Sequence, residues 1–336
     1  EFFETFDLIC NLIFLRARLS GVQLGAARLI GVDDAFISAF ESTFPNVPIT
    51  IERRKKEIAG VGRRLVADTL FLLRALGVLA MNRLKTRRLT KVQVGGRVFF
   101  SFYPQMFEVG ARETKYGALV DDVAEFAVTV LADGMHQQVS LRQYFSFSRN
   151  AELEGMRVID RQLRLGDVYL GLVWVVRLWW WFAGERGSSY TFEGINVSGF
   201  VRGELRFSIS RIMRLCILKG AIARFLRHCR PEELYYYPVE YPLGRMISWV
   251  TALVRPDTRR TGFQMSIVSQ RRLEQFMAQG EASNMPPYIQ HAPIPDRMLA
   301  EDAMAASIYR SAGYQEVSLM NKVYRYEYLE KIEPQR

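Results

Sequence analysis

The chain has 336 residues, of which 49% are hydrophobic and 24% are charged; this balance excludes wholesale disorder and favours two domains of roughly 150 residues each. Three scattered cysteines and three histidines, with neither an HExxH nor a CxxC motif, argue against a disulfide framework and against a metal site. The net charge of +10 favours an anionic partner, either the phosphates of a sugar nucleotide or an anionic membrane surface. Nucleic acid is disfavoured as a partner, because the basic residues recur in short clusters without any nucleic-acid-binding motif.

The first part of the chain predicts helices around one aromatic strand. Residues 2–19 are apolar with polar interruptions and predict a buried element. Residues 58–84 carry leucines and valines at helical spacing and predict a long helix. The run VFFSFY at residues 98–103 predicts a buried strand that ends at Pro104. Residues 116–131 return to a helical period and predict a second helix.

A tryptophan-rich segment follows at residues 168–182. It is shorter than the ~20 residues that a membrane-spanning helix needs, and Arg177 lies inside it. One interpretation is a helix that lies at a bilayer surface, and the alternative is a helix packed between domains, which the sequence favours. Residues 184–189 predict a flexible connection between the two halves of the chain.

The second half alternates strands with helices. The pattern predicts helices at residues 202–227, 243–254 and 303–312, and strands at residues 234–237, 261–266 and 296–300. Such alternation is typical of a parallel sheet with helices on its faces. In an open sheet of this kind, ligands bind beyond the carboxyl ends of the strands.

That rule selects three groups of candidate site residues. Glu240 follows the first strand between two prolines, where it could accept sugar hydroxyls or act as a base, or could simply favour the dipole of the next helix. Gln264 and Ser266 follow the second strand and offer neutral hydrogen-bonding groups, although an ordinary strand end would look the same. Arg325 could neutralise a phosphate, or could be a surface residue between two packing tyrosines. There is no GxGxxG, GxxxxGK[ST] or GxSxG motif, which disfavours dinucleotide enzymes, nucleotide kinases and α/β-hydrolases.

Four segments, taken in order, resemble a bacterial surface carbohydrate biosynthesis family that is associated with O-antigen loci and related to GT-B glycosyltransferases. The segments are FFSFYPQMFEVGARETK (99–115, followed by Tyr116-Gly117), LYYYPVEYPLGRM (234–246), TGFQMS (261–266) and PDRMLAEDAMAASIYRSAGYQEVSLMNKVYRYEYL (295–329). The resemblance spans about two thirds of the chain. Two positions depart from it: Leu243-Gly244 stands where the family has Trp-Glu, and Met265 stands where the family has His.

The resemblance implies a metal-independent glycosyltransferase that needs no bound cofactor. Glu240 would hold ribose or sugar hydroxyls and is the candidate catalytic residue, Gln264 and Ser266 would contact the donor, Arg325 would contact its phosphate, and Tyr103 would line the acceptor side. The general base stays unassigned. Because Met265 and Gly244 replace expected groups, a non-catalytic member that binds a glycan, a lipid-linked sugar or an assembly partner is the alternative.

The overall expectation is therefore an α/β protein with two Rossmann-like domains that face a cleft. Residues 1–185 would form the acceptor-side domain and residues 186–336 the nucleotide-sugar-binding domain. The expected reaction moves a sugar from a nucleotide-sugar donor to a surface-polysaccharide or lipid-linked glycan acceptor. The expected location is the cytoplasm, with the inner face of the cell membrane as a peripheral site.

Overall fold

The computed structural model describes residues 2–52, 59–84, 96–107, 113–120, 125–131, 140–238, 242–268, 280–285, 291–324 and 326. The helices are α1 (Phe2–Arg18), α2 (Asp34–Thr43), α3 (Ala59–Leu84), α4 (Leu141–Leu153), α5 (Leu165–Gly184), α6 (Ser198–Cys229), α7 (Pro242–Val254) and α8 (Ala303–Ser311). The strands are β1 (Ala27–Ile30), β2 (Ile49–Glu52), β3 (Arg97–Phe102), β4 (Glu125–Thr129), β5 (Arg157–Val158), β6 (Thr191–Phe192), β7 (Ile195–Asn196), β8 (Glu233–Tyr236), β9 (Arg259–Phe263), β10 (Ala282–Ser283), β11 (Ala292–Pro293), β12 (Arg297–Ala300) and β13 (Glu316–Leu319).

The chain folds into two compact units, and each is assembled from two stretches of sequence. The first unit comprises Glu1–Phe71 and Gly171–Met213, and the second comprises Leu72–Leu170 and Arg214–Arg336. The boundaries between the units fall inside helices α3, α5 and α6. The functional division that the sequence suggested after residue 185 stays a prediction.

The first unit is built around a two-stranded parallel sheet and a small apolar core. Strand β1 pairs with β2 from Ala27↔Ile49 to Ile30↔Glu52. Helix α2 begins where the Asp33 carboxylate accepts a hydrogen bond from Phe36 N at 2.7 Å, as an N-cap residue does. The core gathers side chains from α1, β1, α2, the β6–β7 hairpin and the start of α6, namely Leu12, Leu29, Phe36, Ile37, Ala39, Phe40, Ile195, Val197 and Phe200.

The second unit contains a seven-stranded sheet in the order β13-β12-β9-β8-β3-β4-β5, in which every neighbouring pair is parallel. Along the chain the sheet starts at β3, extends outwards through β4 and β5, and returns to the other side of β3 with β8, β9, β12 and β13. The order of the strands therefore reverses between β3 and β8. The protein has a mixed α/β fold of Rossmann-like type.

The sequence explains why these strands lie at the centre. Five of the six residues of β3 (RVFFSF) are buried, and β8 and β9 are almost as fully buried. Strands that are covered on both faces read as continuous apolar or aromatic runs, as residues 98–103 and 234–237 do, whereas residues 261–266 form a predicted short strand with polar residues at its end. The predicted parallel sheet in the C-terminal half, with β8 beside β9, is confirmed.

Three observations differ from the sequence-based expectations. In the described part of residues 116–131, a short 3-10 helix (Gly117–Leu119) and strand β4 stand in place of the predicted helix, because the FAVT run pairs with β3 and tertiary pairing overrides the local helical period. The sheet joins β3, β4 and β5 to β8, β9, β12 and β13, and so draws strands from both predicted halves. Trp179, Trp180 and Trp181 of α5 are all exposed, whereas the sequence favoured a helix packed between domains, which stays a prediction.

Within the described residues, no helix combines the length and the apolar character that crossing a membrane requires.

Candidate functional site at the carboxyl edge of the sheet

The reversal of strand order between β3 and β8 marks where a ligand would enter this sheet. In open parallel sheets, the connections from two neighbouring strands leave in opposite directions at such a point, and a crevice opens beyond the carboxyl ends of the strands. Here Tyr103 directly follows β3, Tyr237 follows β8 and Gln264 follows β9. The fold thus brings three sequence-selected neighbourhoods to one edge, which we call the carboxyl edge.

A buried carboxylate, Glu113, links the loop after β3 to the end of β8. Its Oε1 accepts hydrogen bonds from Ser101 Oγ (2.9 Å) and from Tyr237 Oη (2.6 Å). Its Oε2 accepts from the backbone nitrogens of Lys115 and Tyr116, both at 2.7 Å. Burial raises the pKa of Glu113, while the donors, Tyr237 foremost, oppose that rise. All the acceptor sites of this carboxylate are engaged, so Glu113 acts as a clamp on the backbone.

Asp160 makes a similar clamp one strand further along. It follows β5, is fully buried, and accepts from Thr129 Oγ1 (2.8 Å) and from the nitrogens of Val130 and Leu131 (both 2.7 Å) just after β4. Burial raises the pKa of Asp160 as well, and the hydrogen bond from Thr129 leads the opposing influences. The sequence analysis missed both carboxylates, because only the folded chain brings their donors together.

Aromatic rings fill the space beside Glu113. Tyr116 stacks on Tyr237 with ring centroids 4.8 Å apart, and the Phe263 ring meets Tyr116 edge-on at 4.9 Å. Tyr116 Oη also donates to Phe100 O at 2.9 Å. Tyr324, near the end of the described chain, places its ring 6.4 Å from that of Phe263. Such offset and edge-on pairs hold the rings in fixed orientations.

Next to these rings lies a shallow recess that is too narrow to admit a water molecule. It is lined by Tyr237, Pro238, Phe263, Gln264, Met265, Met298 and Tyr309. Sites that hold drug-sized ligands usually enclose roughly 300–1,000 Å3. The recess would therefore have to widen before it could hold a nucleotide.

The amide of Gln264 is engaged within the protein. Its Oε1 accepts from Glu301 N at 2.9 Å, and its Nε2 donates to Ser266 O at 2.9 Å and to Glu301 Oε2 at 3.3 Å. The side chain is 1% exposed. Gln264 thus ties the end of β9 to the end of β12, and its contact with a donor stays a prediction.

The remaining predicted residues are distributed as follows. Ser266 lies two residues beyond Gln264 and is half-buried, with its carbonyl bonded to the Gln264 amide. Tyr103 is buried after β3, and its pKa is raised by burial and by the charge and hydrogen bond of Glu154. Glu240 and Arg325 lie outside the described residues, so their predicted roles stay predictions.

Two glycines show how closely the backbone packs at this edge. A Cβ on Gly244, in the first turn of α7, would lie 1.9 Å from Tyr237 O. A Cβ on Gly262 would lie 2.7 Å from Pro238 Cγ and 2.8 Å from Met298 Sδ. Packing in this structure therefore requires glycine at position 244.

Among the described residues, no group of three or more His, Cys, Asp or Glu side chains could hold a metal ion. Comparisons with protein-family models, with curated proteins and with solved structures gave no match to this chain. The resemblance to surface carbohydrate biosynthesis proteins therefore rests on the sequence motifs.

Proposed function

We propose that this protein binds a nucleotide sugar at the carboxyl edge and transfers the sugar, without a metal ion, to a surface-polysaccharide or lipid-linked acceptor. The observation that carries the proposal is the reversal of strand order between β3 and β8, because nucleotides bind α/β sheets at such a point. A GT-B-like pair of domains that face a cleft belongs to the same proposal. The sheet would supply its donor side.

The proposed donor site combines residues with complementary chemistry. Glu240 would accept donor hydroxyls, Arg325 would bind the phosphate with two parallel hydrogen bonds, and Gln264 and Ser266 would line the donor side. Tyr103 would line the acceptor side. Chain connectivity supports this grouping, because Glu240 is two residues from Pro238 at the recess and Arg325 directly follows Tyr324.

Three features favour a second candidate, a non-catalytic protein that binds a glycan or an assembly partner. The Gln264 amide is already hydrogen-bonded within the protein, and the recess excludes even a water molecule. Met265 also places a thioether where an imidazole would serve as an acid or base. A protein that lacks transferase activity could tolerate all three.

The test is a thermal-shift panel of UDP-, GDP-, CDP- and dTDP-linked sugars with the matching nucleoside diphosphates, followed by an assay for diphosphate release. A transferase is stabilised by one nucleotide class, by about 2.7 kcal/mol at a hundredfold excess over Kd. Glu240→Gln should abolish the shift and the release while the melting temperature without ligand is unchanged. Arg325→Ala should weaken the binding of all nucleoside diphosphates to the same extent, because Arg325 would contact the phosphate rather than the base.

The matched control is Arg259→Ala, at the opposite end of the same sheet. Arg259 starts β9 and donates to Glu316 Oε1 at 2.6 Å in an exposed ion pair. Its loss should leave nucleotide binding unchanged. Two results contradict the transferase: no stabilisation by any nucleotide, or a Glu240→Gln variant that melts earlier yet binds normally, which would assign Glu240 to the dipole of α7.

A further inference from the structure

Helix α5 exposes a broad apolar surface that the donor site does not use. Its residues in the first compact unit include six exposed large apolar side chains that project over more than half of the helix circumference, and we call this surface the tryptophan face: Leu172, Trp174, Val176, Trp179, Trp180 and Trp181. Trp180 is 83% exposed. Soluble proteins rarely expose large apolar side chains contiguously without a partner, so this face calls for an occupant.

The geometry of the face narrows the choice of occupant. At 3.6 residues per turn, Trp179 and Trp181 project about 200° apart, with Trp180 between them. A helix that packs on another protein surface usually presents an apolar stripe roughly 100° wide. A fluid surface can cover a wider arc of the helix circumference than a rigid protein surface can. The acyl chains and headgroups of a lipid monolayer are such a fluid.

The charge of the helix favours the same occupant. From Val168 to Gly184 the sequence contains no carboxylate and a single cation, Arg177, whose guanidinium lies 5.8 Å from the centroid of the Trp174 ring. Asp167, the one acidic residue of α5, is buried and its charge is neutralised by an ion pair with Arg224. The whole chain carries a net charge of +10. An anionic surface therefore meets no repulsive charge along this helix.

The residue types complete the argument. Tryptophan joins a large apolar ring to one polar N–H, and this combination concentrates tryptophan at the boundary between acyl chains and headgroups. An exposed arginine between the tryptophans can keep its charge among lipid phosphates while its stem lies on apolar surface. We propose that the tryptophan face inserts into the headgroup region of an anionic lipid bilayer and holds the protein at the membrane surface.

The experiment is flotation of the full chain with vesicles of equimolar phosphatidylcholine and phosphatidylglycerol, compared with vesicles of phosphatidylcholine alone. Binding should be stronger to the anionic vesicles and should weaken as salt is added. Trp180→Ser should lower the partition coefficient about tenfold, because one large apolar side chain no longer enters the lipid. Leu153→Ser is the matched control, since Leu153 is 75% exposed but lies on α4, and it should bind as the wild type does.

A second measurement needs no variant. Vesicles that carry brominated acyl chains should quench the tryptophan fluorescence of the wild-type protein. The proposal is overturned if the protein does not float with the vesicles and its tryptophan fluorescence is not quenched. It is also overturned if Leu153→Ser loses as much vesicle binding as Trp180→Ser. It is also overturned if the chain forms a dimer in sedimentation that Trp180→Ser dissolves while vesicle binding is absent, which would assign the face to a second copy.

Discussion

At the scale of single residues, the carboxyl edge depends on buried carboxylates whose role is invisible in the sequence. Glu113 accepts four hydrogen bonds: one from Ser101 in β3, two from the loop after β3, and one from Tyr237, which follows a strand more than a hundred residues later. The sequence analysis selected Tyr237 as the end of a strand, but nothing local marks Glu113 as its partner. A buried polar group must find its partners, and only the folded chain identifies them.

We expect Glu113→Gln to lower the free energy of unfolding by about 2 kcal/mol near neutral pH, because an amide cannot accept from all four donors and leaves some of them unpaired. Burial raises the pKa of Glu113 above its ordinary value of 4.5, so the folded state binds a proton more readily than the unfolded state does. The additional stability that protonation of Glu113 provides is therefore complete below pH 4.5 and is lost as the pH rises through the raised pKa. The deficit of the variant should grow as the pH falls towards 4.5.

Urea denaturation across this pH range measures both effects. Glu316→Gln is the control, because the exposed Glu316 forms surface ion pairs with Arg259 and with the partly exposed Arg297, and its loss should cost about 0.5 kcal/mol or less. A Glu113→Gln deficit that shrinks as the pH falls would mean that the hydrogen bonds outweigh burial and depress the pKa instead.

At the scale of elements, the sequence predicted what depends on local pattern. Strands β3, β8, β9 and β12 and helices α3, α6, α7 and α8 all appear where aromatic runs or helical spacing predicted them, within a few residues. Strand β4 was predicted as helix, because its FAVT run lies in a segment of helical period and its pairing with β3 is not encoded nearby. Short strands such as β1 and β2, with four residues each, carry too few positions for a period to show.

Helix α7 offers a test of packing at the element scale. We expect Gly244→Ala to destabilise the protein by about 3 kcal/mol, because the added methyl group would overlap Tyr237 O and the backbone would have to move. Gly203→Ala in α6 is the matched control: its Cβ would meet nothing within 4 Å, so the better helix propensity of alanine should stabilise the protein by about 1 kcal/mol. Thermal and urea denaturation of the two variants measure the contrast. Equal and small effects would show that α7 can move away from the end of β8.

At the scale of the whole molecule, the order of the seven strands could not be predicted from the sequence. Local alternation indicated a parallel sheet in the second half, yet the sheet also takes β3, β4 and β5 from the first half. The pairing of Val98 with Leu234 joins residues far apart in the chain, and no local period encodes such a register. The position of the reversal, and with it the candidate site, became visible only when β3 and β8 were seen side by side.

The same architecture predicts a gradient of local stability. Strands β3, β8 and β9 are hydrogen-bonded to neighbours on both sides and are mostly buried, whereas β1 and β2 pair only with each other in the described structure and bury Leu29 alone. Amides open by local unfolding, and the cost of opening rises with the buried apolar contacts that must separate. In hydrogen–deuterium exchange followed by mass spectrometry, peptides from β3, β8 and β9 should therefore exchange at least about tenfold more slowly than peptides from β1 and β2. If peptides from β1 and β2 were protected as strongly as those from β3, the two-stranded sheet would have to be covered by a further element or a partner.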